Sequence, residues 1–293
     1  MKNFTLLSVV CFVLAFAKAD FSQAQQNFKA VATYQSKMIF KKKEGSDKEE
    51  DKKEDSMSPE MRAAVDKALE TAGQAEFTLK FTKDESIYEK VQELAKPKPT
   101  SGISISFSGG GGTYGTTYKN LEKGIFKRED NIMGKEFLIV DDLEKFEWKI
   151  TGESRMIGNY TAIKAVLIEK PSEDEEAEKE EETDEEETST GILSVIKVEK
   201  KETVAWFTPQ IPISNGPGKY HGLPGLILEL NEGNTVILCT KVEINPEKFK
   251  IDEPKTGKKI KLEKFNKLQK KKQEEQMERF KRGKGSFIRE TRG

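Results

Sequence analysis

Histidine is nearly missing from this 293-residue chain: His221 is the single one. A histidine-based zinc site or a Ser-His-Asp triad must use it or not exist. No Gly-x-Ser-x-Gly nucleophile elbow occurs. Cysteine is as scarce, with Cys11 and Cys239 alone. Long apolar runs are lacking too. Phe4 to Ala17 is the most extended, and about fourteen residues fall short of the roughly twenty that a membrane span needs. Net charge is also close to nil, at −1.

The apolar run follows Lys2 and ends in Ala17-Lys18-Ala19. A positive start, a short apolar core and small residues at the end predict a cleavable secretory signal peptide over residues 1–24, cut after 19 or after Ala24. On that reading Cys11 is lost, Cys239 stays alone, and an intramolecular disulfide is excluded. A disulfide-stapled secreted scaffold is excluded with it. Stability must then come from a packed core. The remaining residues suffice for one domain.

The small net charge hides an uneven distribution. Residues 172–187 hold twelve Asp and Glu against one lysine. From Lys241 onward, Lys and Arg outnumber Asp and Glu by two to one. Residues 41–56 are nearly all charge, and the like charges of the acidic block repel and are solvated, so 41–56 and 171–190 are expected as disordered charged loops.

Period-two alternation dominates the rest. Phe28–Phe40, Glu76–Thr82, Ile103–Phe107, Gly124–Arg128, Lys135–Val140 and Phe146–Ile150 read as strands. So do Tyr160–Ile168, Ile192–Glu199, Thr203–Phe207, Leu226–Leu230 and Thr235–Thr240. Ser86–Leu94 fits either strand or helix. Ser58-Pro59 opens a helix that Gly73 ends, with serine as cap and proline in the first turn. Leu262, Phe265 and Leu268, then Met277 and Phe280, predict a basic amphipathic helix. Close-set strands without intervening helices argue for a mainly β fold: a curved antiparallel sheet, half-barrel or sandwich-like, with one helix in the N-terminal half and a basic helix at the C-terminus. The expected organisation is a β-rich domain over 25–251 and a helical basic segment over 252–293.

Chemical motifs are few. Gly110 to Gly115 matches the dinucleotide-binding glycine pattern, but the β-prone Thr116-Thr117-Tyr118 follows where a helix should start. No cofactor or metal is expected. With Glu232-Gly233 at the centre of the hairpin, Cys239 falls opposite about Leu226. It then lies too far from His221 for a thiol–imidazole pair, and a buried small hydrophobe is the better reading.

One segment is apolar and rich in proline and glycine: Ala205-Trp206-Phe207-Thr208-Pro209-Gln210-Ile211-Pro212, then Gly216 to Glu229. Proline restricts itself and the residue before it, so a fixed irregular excursion between two strands is predicted. Gly225 after Pro224 suits a type II turn, which needs φ > 0 at its third residue. A loop this apolar should pack on the protein or on a ligand.

Gly222-Leu223-Pro224-Gly225-Leu226-Ile227, with the Trp-Phe-Thr-Pro-x-Ile-Pro run and Gly216-Pro217, closely resembles the signature of the GLPGLI family. Trp148 to Thr151, the strand from Gly158 to Ala165, and Pro254 to Lys259 with the closing helix also fit. Ala162 stands where members often carry a cysteine, which puts a thiol role there in doubt. The resemblance implies an exported protein of Bacteroidota-type bacteria, in the periplasm or outer envelope, with no catalytic residues to carry over.

The expected function is a non-catalytic binding protein of the cell envelope, using the 205–227 loop. Its candidate binding residues are Trp206, Phe207, Tyr220, His221, Gly222, Leu223, Pro224 and Gly225. The expected partner is an envelope protein or a hydrophobic ligand, with no nucleic acid and no transmembrane segment after cleavage. A carrier of a lipid or acyl chain and an envelope-polymer hydrolase relying on His221 are the alternatives.

Overall fold

Strand alternation decides the architecture. In β1 (Lys29–Met38), Ala30, Ala32, Tyr34 and Ser36 are buried, while Gln35 and Lys37 between them are exposed. In β2 (Ala75–Thr82), Phe77, Leu79 and Phe81 are buried. The register sets Ala30 against Phe81, Ala32 against Leu79 and Tyr34 against Phe77, so the buried sets share one face. Val31 opposite Lys80 and Thr33 opposite Thr78 lie on the other face.

In the computed structural model, the structure describes residues 28–39, 60, 74–92, 116–168 and 202–290. The signal segment 1–24, the charged loops 41–56 and 171–190, the glycine-rich run 110–115 and the expected strands 103–107 and 192–199 lie outside the described residues. So does the expected helix after Ser58, apart from Glu60, which is helical.

Ten further strands follow: β3 (Glu85–Lys90), β4 (Thr117–Asn120), β5 (Ile125–Ile132), β6 (Lys135–Asp142), β7 (Trp148–Ile157), β8 (Tyr160–Leu167), β9 (Val204–Thr208), β10 (Leu226–Glu232), β11 (Thr235–Ile244) and β12 (Lys258–Ile260). Helix α1 (Leu262–Glu290) follows β12. All twelve strands form one curved, open sheet in the order β12-β6-β5-β4-β3-β2-β1-β11-β10-β9-β8-β7. The fold is mainly β, as the alternation predicts. Every described pairing is antiparallel except β12 with β6, where Lys258, Lys259 and Ile260 run parallel to Phe137, Leu138 and Ile139. Ser86–Leu94, which the sequence leaves open between strand and helix, holds β3. The segment after residue 252 thus adds a strand to the sheet before α1 begins.

The β10–β11 hairpin turns at Gly233-Asn234, with Glu232 opposite Thr235 and Leu230 opposite Ile237. The expected centre one residue earlier is corrected by this register. On the other edge of β11, Cys239 faces Tyr34 of β1, next to a bulge between Thr33 and Tyr34, and it is half-buried where the sequence predicts a buried residue. It packs against the core, and its sulfur donates to the Lys241 carbonyl at 3.5 Å. Burial pushes its thiol up to about 12.

Among the described residues there are two cores. The larger runs from β1–β3 across to β8–β11. Phe77 stacks on Tyr88, with ring centres 4.9 Å apart. The smaller gathers Phe126, Ile132, Phe137, Ile139 and Phe265 under α1. Asp141 fixes where α1 starts: its carboxylate accepts the Leu262 amide at 2.9 Å and the Lys261 ammonium at 3.0 Å. Burial opposes ionisation of Asp141, but these donors outweigh it and hold the carboxyl below its usual range.

Candidate functional site

The excursion between β9 and β10 covers residues 209–225. It is built into the fold. Ile211, Ile213, Tyr220 and Leu223 are buried and join the larger core. The loop carries its own backbone bonds. The Leu226 amide donates to the Ile211 carbonyl at 3.0 Å, and the Ile227 amide to the Asn215 carbonyl at 2.9 Å.

Three strands from the other half of the sheet hold the loop and the start of β10. The Tyr34 hydroxyl of β1 donates to the Ile227 carbonyl at 2.7 Å. Ser86 of β3 donates to the Asn215 side-chain oxygen at 3.3 Å. Lys119 of β4 has no exposed surface. Its ammonium donates to the carbonyls of Gly216 at 2.9 Å and Tyr220 at 2.8 Å. Burial lowers the Lys119 pKa to about 7. The Tyr220 hydroxyl in turn donates to Glu232 at 2.6 Å, and burial, with that carboxylate, holds the phenol above its usual value.

The six-residue signature has a steric basis at its second glycine. A Cβ on Gly225 would lie 2.1 Å from the Thr208 carbonyl oxygen. Gly225 is therefore required by close backbone approach. Its φ is not positive, which corrects the expected type II turn. The left-handed residue is Gly222, at φ 98°, beside the Trp148 indole.

The end of the loop carries a half-buried aromatic cluster. The Trp148 indole N–H donates to the His221 carbonyl at 2.8 Å and so ties β7 to the loop. The Phe146 ring centre lies 5.3 Å from that of Tyr220 and 5.4 Å from that of His221, the latter edge-on. The Lys219 ammonium stands 5.5 Å from the Phe146 ring centre and 3.6 Å from a Glu144 carboxylate oxygen. Gly222 and Pro224 are exposed beside the cluster.

His221 lies within this cluster. Its Nδ1 is 3.1 Å from the Lys219 carbonyl. A carbonyl only accepts, so Nδ1 carries the proton in the neutral ring. Burial, then the charge of Lys119, lowers the His221 pKa to about 4. The ring is oriented by a backbone carbonyl where a triad histidine would have a carboxylate.

The eight expected site residues therefore do not converge on one surface. Phe207, Tyr220, Leu223 and Gly225 are buried; His221, Gly222 and Pro224 reach the surface. Trp206 points to the other face of the sheet, where the Arg155 guanidinium lies 4.0 Å from its ring centre and pairs with Glu229. Lys119, Phe146 and Trp148 complete the arrangement but are not among the eight. Ala162 is fully buried in the larger core, so a side chain there does not reach the surface. Among the described residues, no cluster of three His, Cys, Asp or Glu side chains is placed to hold a metal. No described helix is long and apolar enough to cross a membrane.

Residues 148–229 match the sequence profile of a family described as a protein of unknown function (Porph_ging). That stretch runs from Trp148 to Glu229 and contains all eight expected residues. No curated protein matches the chain. Two solved structures of PNGF-II, in space groups C2 and P21, are similar at 13% identity with a TM-score of 0.44. They align with 84% of this chain and with 33% and 34% of their own, so this chain spans about a third of the PNGF-II chains.

Proposed function

We propose that this chain is an exported, non-catalytic interaction protein of the GLPGLI type, resident in the periplasm or outer envelope. Its contact surface is the aromatic end of the 209–225 loop: Phe146, Trp148 and His221, with Gly222 and Pro224 beside them. The observation that carries the reading is the bond from the Trp148 indole to the His221 carbonyl. It holds large half-buried rings in a fixed array at the surface. Such rings supply contact area with little rotamer entropy to lose, and aromatic residues are enriched at binding surfaces. Trp206, Phe207, Tyr220, Leu223 and Gly225 support the array from within the fold or from the other face.

The test uses the chain from residue 25 onward as bait on envelope extract from the source cell, beside a variant with Phe146→Ser and Pro224→Glu. Both changes lie at the surface end of the array. The reading expects a specific envelope component with the parent chain and its loss with the folded variant. Equal capture by both, or none by either, would overturn it. Export is checked separately, by N-terminal mass analysis of protein from cell fractions. An intact Met1 in a cytoplasmic fraction would refute it.

A further inference from the structure

Away from the loop, the β5–β6 hairpin and α1 enclose a groove of about 430 Å³, within the range of roughly 300–1,000 Å³ typical of small-molecule sites. Its floor is apolar. Ile132 and Phe137 are buried, and Leu268 of α1 is half-buried against the same core. Its rim is cationic, with Lys135, Lys272 and Arg279 around one acid, Glu275. Glu275 already pairs with Lys272 at 2.6 Å. Neither Lys135 nor Arg279 makes a close ion pair among the described residues, although Arg279 feels the charge of Glu275 one turn earlier on α1. Lys135 stands over the Phe137 ring, its ammonium 5.9 Å from the centre.

Met133, at the mouth, is independently unusual. It is 61% exposed and held at φ 50°, followed by Gly134 at φ 81°. Two successive positive φ angles in a two-residue hairpin favour Asn-Gly or Asp-Gly. A methionine there strains the backbone and sets an apolar side chain in water. Both costs suit a residue that covers an apolar ligand, since methionine adapts to irregular shapes.

We propose that this groove binds a single-chain anionic amphiphile, a long-chain carboxylate, as a free monomer. The head lies between Lys135 and Arg279. The tail lies on Ile132, Phe137 and Leu268 under Met133. Charge complementarity selects the anion: three cations against the one acid, Glu275, leave a net positive rim over an apolar floor, which a cationic amphiphile of the same length would not match. This site is separate from the aromatic array and does not depend on the function proposed for it.

The test is calorimetric titration of the chain from residue 25 onward with sodium dodecanoate below its micelle concentration. Dodecyltrimethylammonium of equal chain length is the charge control, and phosphatidylglycerol vesicles are the surface control. Expected is saturable binding of one dodecanoate, at least tenfold weaker binding of the cation, and at least tenfold loss of dodecanoate affinity in Lys135→Glu/Arg279→Glu. Both substituted side chains are exposed, so the fold should be kept, and an unchanged melting temperature checks this. Equal affinity for the two amphiphiles, no dodecanoate binding, or unchanged affinity in the charge-reversed variant would overturn the proposal. Vesicle binding without dodecanoate binding would overturn it in favour of a membrane-surface role for α1.

Discussion

The Lys119 ammonium lies 2.8 Å from the Tyr220 carbonyl and binds the middle of the motif loop to β4, 101 positions earlier in the chain. The lysine is fully buried, and its two acceptors are backbone carbonyls, so no carboxylate offsets its charge. Its folded pKa of about 7 lies below the 10.5 of the free side chain. Between those values the unfolded chain binds the proton and the folded chain does not, so the contribution to stability rises with pH. Below about pH 7 that contribution is gone. The melting temperature of the parent chain should therefore rise from pH 7 to 9. Cys239, with a thiol pushed up to about 12 from 9.0, has the opposite sign and takes stability away above pH 9. Lys119→Met should lose the rise between pH 7 and 9. A slope unchanged in the variant would show that Lys119 is not its source.

Gly225 is the least replaceable residue of the signature. Gly225→Ala drives a methyl group into the Thr208 carbonyl, and backbone on both sides of the contact must move. The expected loss is about 3 kcal/mol or more by denaturant unfolding. Gly222→Ala meets no comparable clash and pays only for the left-handed backbone, about 1–2 kcal/mol. A smaller cost at Gly225 than at Gly222 would contradict the close-approach account.

Trp148→Phe keeps a ring against Phe146 and Tyr220 but deletes the donor to His221. About 1 kcal/mol should be lost, the usual net value of one such bond. The near-ultraviolet spectrum should also change, because the rings lose their fixed relation. A variant with parental stability and spectrum would mean that the indole N–H does not organise the cluster.

Asp141→Asn tests the start of α1. The amide keeps an acceptor for Leu262 but loses the charge that favours the helix N-terminus and Lys261. About 1 kcal/mol should be lost at neutral pH. The Asp141 pKa is lowered on folding, so its stabilisation is full above the usual carboxylate value and fades as pH falls through the folded value. Parent and variant should therefore converge in strong acid, as followed by helical ellipticity. A difference that persists at pH 2 would argue against the ion pair.

Cys239 should behave as an inert thiol at pH 8. Its folded pKa of about 12 leaves almost no thiolate, and its strand is paired with β1. Iodoacetamide should label it only in denaturant. Rapid labelling of the folded chain would contradict the placement of its side chain.

Much of this was legible because period two is a strong local signal. The alternation in Phe77, Leu79 and Phe81 locates β2 within a residue. The wholly buried Thr117 to Asn120 has no alternation to read, so the β-prone Thr116-Thr117-Tyr118 does not by itself mark the strand β4. Lys119 was hidden for a related reason: a charged residue in a short polar run reads as solvent-facing, and only tertiary carbonyls reveal otherwise. Lys258–Ile260 carries two lysines and pairs in parallel, a geometry that depends on Phe137–Ile139 and not on its own sequence. The proline and glycine content of 205–227 marked the loop correctly as fixed. It did not say which side chains face inward, because an irregular segment has no period.

β1 is the central seam of the sheet, with β2 on one side and β11 on the other. The pairing with β2 closes within one stretch of chain, whereas Thr33 finds its partner Lys241 only after all the intervening strands have been made. During synthesis the row from β1 to β6 therefore presents a bare strand edge until β11 arrives. Contacts of such long sequence separation slow folding. An open β1 edge over that interval offers its unpaired amides and carbonyls to any neighbouring strand. The newly made chain should depend on a holding chaperone far more than the stability of the finished sheet would suggest.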